Sequence, residues 1–532
     1  MDSFSYDLPY PSRRAPVLAR NVIATSQPLA AAAGLRMLLD GGNAVDAALA
    51  TAIALTVVEP TSNGIGSDAF AIVWDGNKLY GLNASGRSPA SWNADSYRAN
   101  FPEMPLRGWH SVTVPGAVSA WVELSAHFGE LPFERLFGPA IEYARDGFLV
   151  SPITADAWQR SIETFAGAEF ESFRNTFAPN GRAPRAGERC VLPDHARTLE
   201  FIATTRGQSF YSGDLAVQIA ACAQREGGAM MLLDDLGSHC CNRVETISTT
   251  YHGRTLHEIP PNGQGIAALI ALNILSNFDL AAMPVDSADS VHLQIEAVKL
   301  ALADAYRHVA DAHHMKASCD DLLDPDYASD RARLIDMNRA ADPGSGEPRR
   351  GGTVYLTAAD ATGMMVSFIQ SNYYGFGSGV VIPGTGIAMQ NRGHGFVLER
   401  GHPNELGPRK RPFHTIIPAF VTDERGQPLM SFGVMGGHMQ AQGHVQMMTR
   451  IFNYHQNPQA ASDAPRWRVD GGRTVSVELG FDASVIDALR NRGHEIRIGE
   501  PSEFGGAQLI YKLADGYFGA SDHRKDGGAV GF

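Results

Sequence analysis

The feature that most limits the fold of this chain is a change of hydrophobic periodicity near residue 353. Residues 115–340 carry a series of apolar patterns with helical spacing, such as AVSAWVELSAHF. After residue 353, TVYLTAADATGMMVSFIQS and HTIIPAFVTDERGQPLMSFGV each show two β-rich runs around a turn, which is typical of hairpins. The sequence therefore predicts an α+β protein with a helix-rich first part and a strand-rich second part.

The stretch RRGGTVYL, residues 349–356, lies at this change. The preceding residues 338–352 are rich in proline, glycine and charge and lack periodicity, which indicates a linker. Thr353 follows two glycines and begins the first strand pattern. It could simply start a strand, or its hydroxyl could be a group that a reacting atom approaches closely.

A threonine hydroxyl is a weak nucleophile unless a base lies beside it. The residue's own α-amine can be that base once the preceding peptide bond is cut. Such an amine has a pKa of roughly 7.7 to 8, so near neutral pH much of it accepts a proton. This chemistry requires cleavage between Gly352 and Thr353, and a small residue at position 352 admits the strained geometry of the attack.

Helices are predicted close to the start of the chain. NVIAT, residues 21–25, predicts a strand, Ser26 a helix cap, and Gly41 the end of that helix. The next pattern, NAVDAALATAIALTVVEP, is apolar nearly all round, which indicates a buried helix. Its longest apolar run is too short to cross a bilayer.

Charge and composition exclude several classes of protein. The formal net charge is −13 and there is no long basic run, so we expect no nucleic-acid partner. Five cysteines without a repeated CxxC spacing indicate reduced thiols. The N-terminus has no apolar secretory stretch, which predicts a cytoplasmic protein without a membrane partner.

Two motifs do not support a cofactor or a metal. GQGIAA, residues 263–268, resembles part of a dinucleotide fingerprint but lacks the acidic residue that should follow some twenty positions later, so its glycines more simply open a helix. Asp304, His308 and Asp311 share one helical face, as metal ligands do, and a salt-bridged face explains them equally well. The sequence predicts no metal and no cofactor.

Many ordered stretches resemble the gamma-glutamyltransferase family of N-terminal-nucleophile hydrolases over nearly the whole chain. They include ATSQPLAAAAGLRMLLDGGNAVDAALATAIALTVVEPTSNGIGSDAF, PPNGQGIAALIALNIL, TVYLTAADATG, GFGSGVVIPGTGI, KRPFHTIIPAF and MGGH. The resemblance implies a four-layer αββα sandwich built from two segments of one precursor. Residues 1–352 would form the large segment and residues 353–532 the small one, together one catalytic domain that acts on a small-molecule amide.

The same resemblance implies roles for particular residues. Thr353 corresponds to the processing site and nucleophile, and Ser371 to a hydroxyl that supports it. Gly436 and Gly437 match the pair whose backbone N–H groups form an oxyanion hole. Arg87 matches an arginine that holds the substrate's α-carboxylate, a task suited to a two-pronged donor. Dimerisation of the processed protomers stays open.

The chain departs from the family where an amino group would bind. Family members carry two acidic residues in the loop that corresponds to QNRGHGF, and here His394 and Gly395 stand in their places. Arg392 beside them would repel an ammonium group. The segment after this loop is also shorter than in members that have a lid, which predicts a more open pocket.

Further substitutions lie at the carboxylate subsite. Tyr373 replaces an asparagine, and His414 with Thr415 replaces a pair of serines. This pattern resembles the branch of the family that includes oxamate amidohydrolase and the glutaryl-type acylases. The resemblance implies an amidohydrolase or acyltransferase for a small amide that bears a carboxylate but no amine, with oxamate as the leading candidate. A γ-glutamyl hydrolase or transferase, and an unprocessed homologue that only binds a ligand, are the alternatives.

Overall fold

Two antiparallel sheets of seven strands each, packed face to face, form the centre of the computed structural model, which describes residues 14–343 and 352–532. The described strands are β1 Val17–Ala19, β2 Val22–Thr25, β3 Asp68–Trp74, β4 Leu79–Ala84, β5 Phe148–Leu149, β6 Arg189–Cys190, β7 Asn242–Val244, β8 Ile247–Tyr251, β9 Arg254–Glu258, β10 Gly352–Ala359, β11 Met365–Tyr373, β12 Ala419–Thr422, β13 Pro428–Met435, β14 Trp467–Gly471, β15 Thr474–Glu478, β16 Glu495–Gly499, β17 Gly506–Lys512, β18 Tyr517–Ser521 and β19 Gly528–Gly531.

Helices cover the outer faces of both sheets. The described α-helices are α1 Pro28–Leu39, α2 Ala44–Val58, α3 Ala94–Asn100, α4 Ala117–Phe128, α5 Gly138–Asp146, α6 Pro152–Thr164, α7 Glu171–Phe177, α8 Pro193–Thr204, α9 Gln208–Tyr211, α10 Asp214–Arg225, α11 Gly265–Leu275, α12 Ala288–His308, α13 Cys319–Leu323, α14 Pro325–Ala332, α15 Met439–Met448, α16 Pro458–Asp463 and α17 Ala483–Asn491. None of these helices is long and apolar enough to cross a membrane.

Both large sheets mix strands from the two sides of residue 353. One sheet has the order β1-β18-β17-β13-β12-β9-β8, and the other has the order β19-β2-β10-β11-β3-β4-β7. Neither side of residue 353 could complete its sheets alone. The predicted α+β fold with four αββα layers is confirmed.

Three apolar cores follow from this layering. Phe70, Tyr355, Phe420 and Ile510 belong to a core between the two sheets. A second core packs α1, α2 and α4 on the sheet that contains β10 and β11, and a third packs α11, α12 and α15 on the other sheet. Every residue of α2 is buried, as its uninterrupted apolar pattern predicts.

The start of α1 differs from the sequence prediction. The cap is Gln27, whose side-chain oxygen accepts the N–H groups of Leu29 and Ala30, and not Ser26. The Ser26 hydroxyl instead donates to Glu59 at 2.5 Å. A buried carboxylate at the end of α2 therefore competes for the serine, and the next polar side chain caps the helix.

The two hairpins predicted after residue 353 are β10 with β11 and β12 with β13, and both are antiparallel. The register of the first hairpin shifts between Gly352 and Val354, so Thr353 lies at a bulge. Bulges re-aim side chains, and they are enriched beside active sites. Of the predicted linker, residues 344–351 lie outside the described residues.

Candidate active site

Thr353 is buried at the bulge that begins β10, with 2% of its surface exposed. Its hydroxyl donates to Ser371 Oγ at 3.3 Å and accepts from Gln440 Nε2 at the same distance. Strand β11 supplies Ser371, and the first turn of α15 supplies Gln440. The hydroxyl is therefore held from two sides by separate elements of the small segment.

Ser371 connects the threonine to the peptide bond that precedes it. The Ser371 hydroxyl donates to the carbonyl oxygen of Gly352 at 2.7 Å. Its oxygen accepts from the Tyr373 N–H at 2.8 Å and from Arg392 Nη2 at 2.7 Å. Together with the Thr353 hydroxyl, these donors share the two lone pairs of the serine oxygen, and the serine hydrogen points at the Gly352 carbonyl and polarises it.

Arg392 lies in a single helical turn, Arg392–Gly395, and is 1% exposed. Its Nη1 donates to Thr415 Oγ1 at 2.8 Å, and its guanidinium lies 4.5 Å from the centre of the Tyr373 ring. Among the residues that the structure describes, its Nε–H has no hydrogen-bond acceptor. Burial lowers the pKa of Arg392 to about 10, so it remains a cation near neutral pH.

Asp68 is a buried anion close to this arginine. It begins β3, and one of its oxygens accepts the N–H groups of Gly86 and Gly116, at 3.2 and 3.1 Å. Burial raises the pKa of Asp68 to about 7, while the charge of Arg392 opposes that rise. The carboxylate thus balances the guanidinium beside Ser371.

His414 lies behind the site. It is fully buried, and its Nε2 is 3.1 Å from Asp68 Oδ2, while its Nδ1 accepts the N–H of Ile416 at 3.4 Å. Burial lowers the pKa of His414 well below its usual value, with Arg392 and Arg411 acting in the same direction. His414 is therefore neutral and donates to Asp68, and no part of its side chain is exposed to a substrate.

Arg87 lies close enough to Arg411 and His239 for its charge to affect both. The pKa of Arg411 is lowered to about 10, by burial first and then by the positive charge of Arg87, and Asp68 opposes this fall. Arg87 and Arg411 also act together on His239.

The predicted oxyanion glycines form the turn between β13 and α15. Gly436 and Gly437 have φ values of 119° and 62°, which favour glycine. A Cβ on Gly436 would lie 3.1 Å from the Cα of Gly505. The Gly437 carbonyl accepts from the Gln440 N–H at 3.2 Å and from Gln264 Nε2 at 2.9 Å. The turn is thus fixed to the residue that contacts Thr353.

A cavity of about 770 Å³ adjoins these residues. Tyr373 and His438 line it, as does His394, whose Nδ1 lies 2.7 Å from the carbonyl oxygen of Met104. The Tyr373 hydroxyl is 3.3 Å from His438 Nε2, and the Tyr306 hydroxyl is 2.8 Å from His438 Nδ1. The cavity is therefore lined by Tyr373, whose backbone N–H contacts Ser371, and not by Thr353 itself.

The residues weighed as metal ligands have partners of other kinds. Asp304 pairs with Arg331 at 3.0 Å, and α12 ends at His308, so Asp311 is not on the predicted helical face. A separate buried group, His292, Glu296 and His494, has ligand atoms close enough to share an ion. The ammonium of Lys299 lies 2.8 Å from Glu296 Oε1 and 3.4 Å from His494 Nδ1, so a lysine supplies the positive charge there.

Gln440 and Asp68 are site residues that the sequence reasoning missed. Gln440 Oε1 accepts the N–H of Ile417 at 3.0 Å, which turns its Nε2 toward Thr353. The sequence signal for Gln440 is a cluster of polar residues where burial would favour apolar ones. Glutamines at 440, 442 and 446 follow the two glycines in a helix that is entirely buried. Asp68 was visible as a lone acid opening an apolar strand pattern, DAFAIVW.

Comparison with known proteins agrees with this arrangement. A family model described as gamma-glutamyltranspeptidase matches residues 30–532. The glutathione hydrolase-like YwrD proenzyme of Bacillus subtilis is 36% identical over 96% of this chain and 98% of its own length. The oxamate amidohydrolase proenzyme of Klebsiella pneumoniae is 35% identical over 95% and 97%. The crystal structure of cephalosporin acylase from Bacillus halodurans matches with a TM-score of 0.96 and 47% identity, covering 100% of this chain and 99% of that one.

The fold and these relatives define an amide hydrolase of the N-terminal-nucleophile class, made as a precursor that is cleaved into a large and a small segment. Within that class, the chain belongs to the gamma-glutamyltranspeptidase family.

Proposed function

We propose that the precursor cleaves itself between Gly352 and Thr353 and that the freed Thr353 then hydrolyses amides bearing a carboxylate. One observation carries this proposal: the Thr353 hydroxyl contacts Ser371, whose own hydroxyl donates to the carbonyl of Gly352. Nucleophile, polarising group and the carbonyl to be attacked are thus adjacent in the uncut chain.

In the self-cleavage step, Thr353 Oγ1 attacks the carbonyl carbon of Gly352. The peptide C–N bond breaks, the Thr353 nitrogen takes up the hydroxyl proton, and Gly352 becomes esterified to the threonine. Water then hydrolyses the ester, which leaves a carboxylate on Gly352 and restores the hydroxyl. Ser371, with the charge of Arg392 behind it, stabilises the negative charge that develops on the carbonyl oxygen.

In turnover the new α-amine of Thr353 is the base. It accepts the hydroxyl proton as Oγ1 attacks the substrate carbonyl, and the N–H groups of Gly436 and Gly437 stabilise the oxyanion. The α-ammonium then protonates the leaving nitrogen, which departs as an amine or ammonia. Water attacks the acyl-enzyme ester, its proton passes to the α-amine, and the acid is released.

Arg392 supports a substrate that is an anion. It is a buried cation beside Ser371 with a spare Nε–H, a donor set suited to a carboxylate. His394 and Gly395 offer no carboxylate to an ammonium group. Oxamate, hydrolysed to oxalate and ammonia, is the leading specific candidate, and the name of the Klebsiella pneumoniae relative favours it.

A γ-glutamyl compound is the second candidate, favoured by the name of the Bacillus subtilis relative. The test compares ammonia release from oxamate with aniline release from a γ-glutamyl anilide, using the processed protein. We expect a higher kcat/KM for oxamate, and an Arg392→Met variant that loses most of it. Activity on the anilide alone would reject the carboxylate-only substrate class.

A further inference from the structure

The cavity beside the candidate active site is bounded by two residues that also belong to that site. Tyr373 donates its N–H to Ser371 and presents its ring to the cavity, and His438 directly follows Gly437. A substrate whose carbonyl lies at Thr353 can therefore extend one of its two halves along this wall. What the wall recognises determines which amides can bind.

Aromatic rings form much of the wall. The rings of Phe413 and His438 are nearly parallel, with an angle of 12° between planes and 6.2 Å between centres. Tyr306 packs tilted against Phe413 at 5.5 Å, and its hydroxyl is 2.8 Å from His438 Nδ1. On the other side the Tyr373 and His394 rings lie 6.3 Å apart. Packing and hydrogen bonds therefore hold these rings in place before any ligand arrives.

The charges on the wall do not form an anion site. Arg98 is the arginine among the described lining residues, and it is paired with Glu405 at 2.8 Å and with Asp95 at 2.7 Å. His402 Nδ1 accepts the N–H of Asn404, so its Nε2–H donates to the carbonyl oxygen of Tyr306 at 3.1 Å. The wall is thus aromatic with polar edges, which suits a flat ring that stacks or meets ring edges.

Size points the same way. Cavities of roughly 300–1,000 Å³ take drug-sized ligands, and this one measures about 770 Å³. Oxamate has only six non-hydrogen atoms and would leave nearly all of the cavity to water.

We infer that, within the proposed class of carboxylate-bearing amides, a planar ring that occupies the cavity lined by Phe413, His438, Tyr306 and Tyr373 makes an amide a better substrate than the same amide without the ring. This inference rests on the proposed function, because it assigns the half of the substrate that the carboxylate site does not hold. The ring can lie on the amine half or on the acyl half of the amide, and the assay separates the two.

The assay uses pairs of amides that differ only in the ring. N-benzyl oxamate is compared with N-propyl oxamate for the amine half, and 2-phenylsuccinamate with succinamate for the acyl half. We expect kcat/KM to be at least about 10-fold higher for the ring-bearing member of one pair, since burial of a ring strengthens binding. Ring-bearing members no better than their partners in both pairs would overturn the inference.

A substitution in the wall makes the test specific. Phe413→Leu keeps an apolar side chain and removes the ring, so we expect the ratio of kcat/KM for the ring-bearing amide to that for its ring-free partner to fall to about one. The matched control is Phe201→Leu, at an exposed phenylalanine of α8 that does not line the cavity. Equal losses on both amides would mean that Phe413 is only structural and would count against the inference.

Direct binding separates this inference from the proposed function. Calorimetry on the processed protein compares phenylacetate with acetate, in the wild type and in Phe413→Leu. Binding of phenylacetate that depends on Phe413, without hydrolysis of any amide, would support the cavity assignment and reject the proposed function. Hydrolysis of all four amides without a ring preference would do the reverse.

Discussion

Replacing Asp68 with asparagine removes a buried carboxyl group that lies close to Arg392. The carboxylate accepts two backbone N–H groups and the Nε2–H of His414. An amide at this position keeps one acceptor oxygen and turns an NH₂ group toward the histidine. Because His414 Nδ1 already accepts the Ile416 N–H, its Nε2 must carry a proton, and two donors then face each other.

The size of the effect follows from burial and charge. Asp68→Asn leaves the buried Nε2–H of His414 facing another donor, and a buried polar group without a partner costs about 1–3 kcal/mol, so we expect the variant to be clearly less stable than the wild type. The difference also depends on pH, because the pKa of Asp68 is raised from 3.8 to about 7. Between these values the unfolded chain has released a proton that the folded chain still holds, and the stability of the wild type therefore falls as pH rises.

The coupling of proton binding to folding sets the size of this decrease in stability. One pH unit corresponds to about 1.4 kcal/mol, and near the folded pKa the slope flattens, so the advantage of the wild type over Asp68→Asn shrinks by about 2 kcal/mol between pH 5 and pH 7. Urea unfolding of both uncut proteins, each in a Thr353→Ala background, measures it. Parallel stability curves over this pH range would refute the raised pKa and the burial that causes it.

Three further substitutions test the site itself. Gln440→Leu removes the donor to the Thr353 hydroxyl. Because one neutral hydrogen bond contributes about 0.5–1.5 kcal/mol, we expect turnover to fall about 10-fold. Steady-state kinetics on the processed protein measure this. Ser371→Ala removes the hydroxyl that donates to the Gly352 carbonyl and should slow the appearance of the small fragment on denaturing gels, whereas Ser371→Thr should restore it. Gly436→Ala places a Cβ against Gly505 in a backbone conformation that favours glycine, and we expect about 10² to 10³ lower kcat without loss of folding by circular dichroism. Unchanged rates in these variants would contradict the assigned roles.

Much of the fold was predictable because its signals are local. The apolar helix α2 and the hairpin of β10 and β11 follow from periodicity and turn residues. The pairing of β10 with β2 and of β12 with β9 joins strands from opposite sides of residue 353. No pattern within either strand specifies such a distant partner, so the mixed sheets came from family resemblance alone.

The residues of the candidate site also differ in how far the sequence could predict them. The roles of Thr353 and the two glycines were predicted chiefly from the family resemblance, since a glycine before a threonine is by itself common at the start of a strand. Gln440 and Asp68 act through contacts with strands and turns far along the chain. His414 shows the same limit: its place in the motif suggested a substrate ligand, while packing behind Asp68 makes it neutral and inaccessible.

The most direct test of the account is the N-terminal sequence and intact mass of the smaller fragment of the purified protein. We predict two fragments, the smaller one beginning Thr-Val-Tyr-Leu, and a Thr353→Ala variant that stays uncut and hydrolyses no amide. A smaller fragment that begins elsewhere, or a Thr353→Ala variant that is still cut or still active, would contradict the claim that Thr353 is both the processing site and the nucleophile.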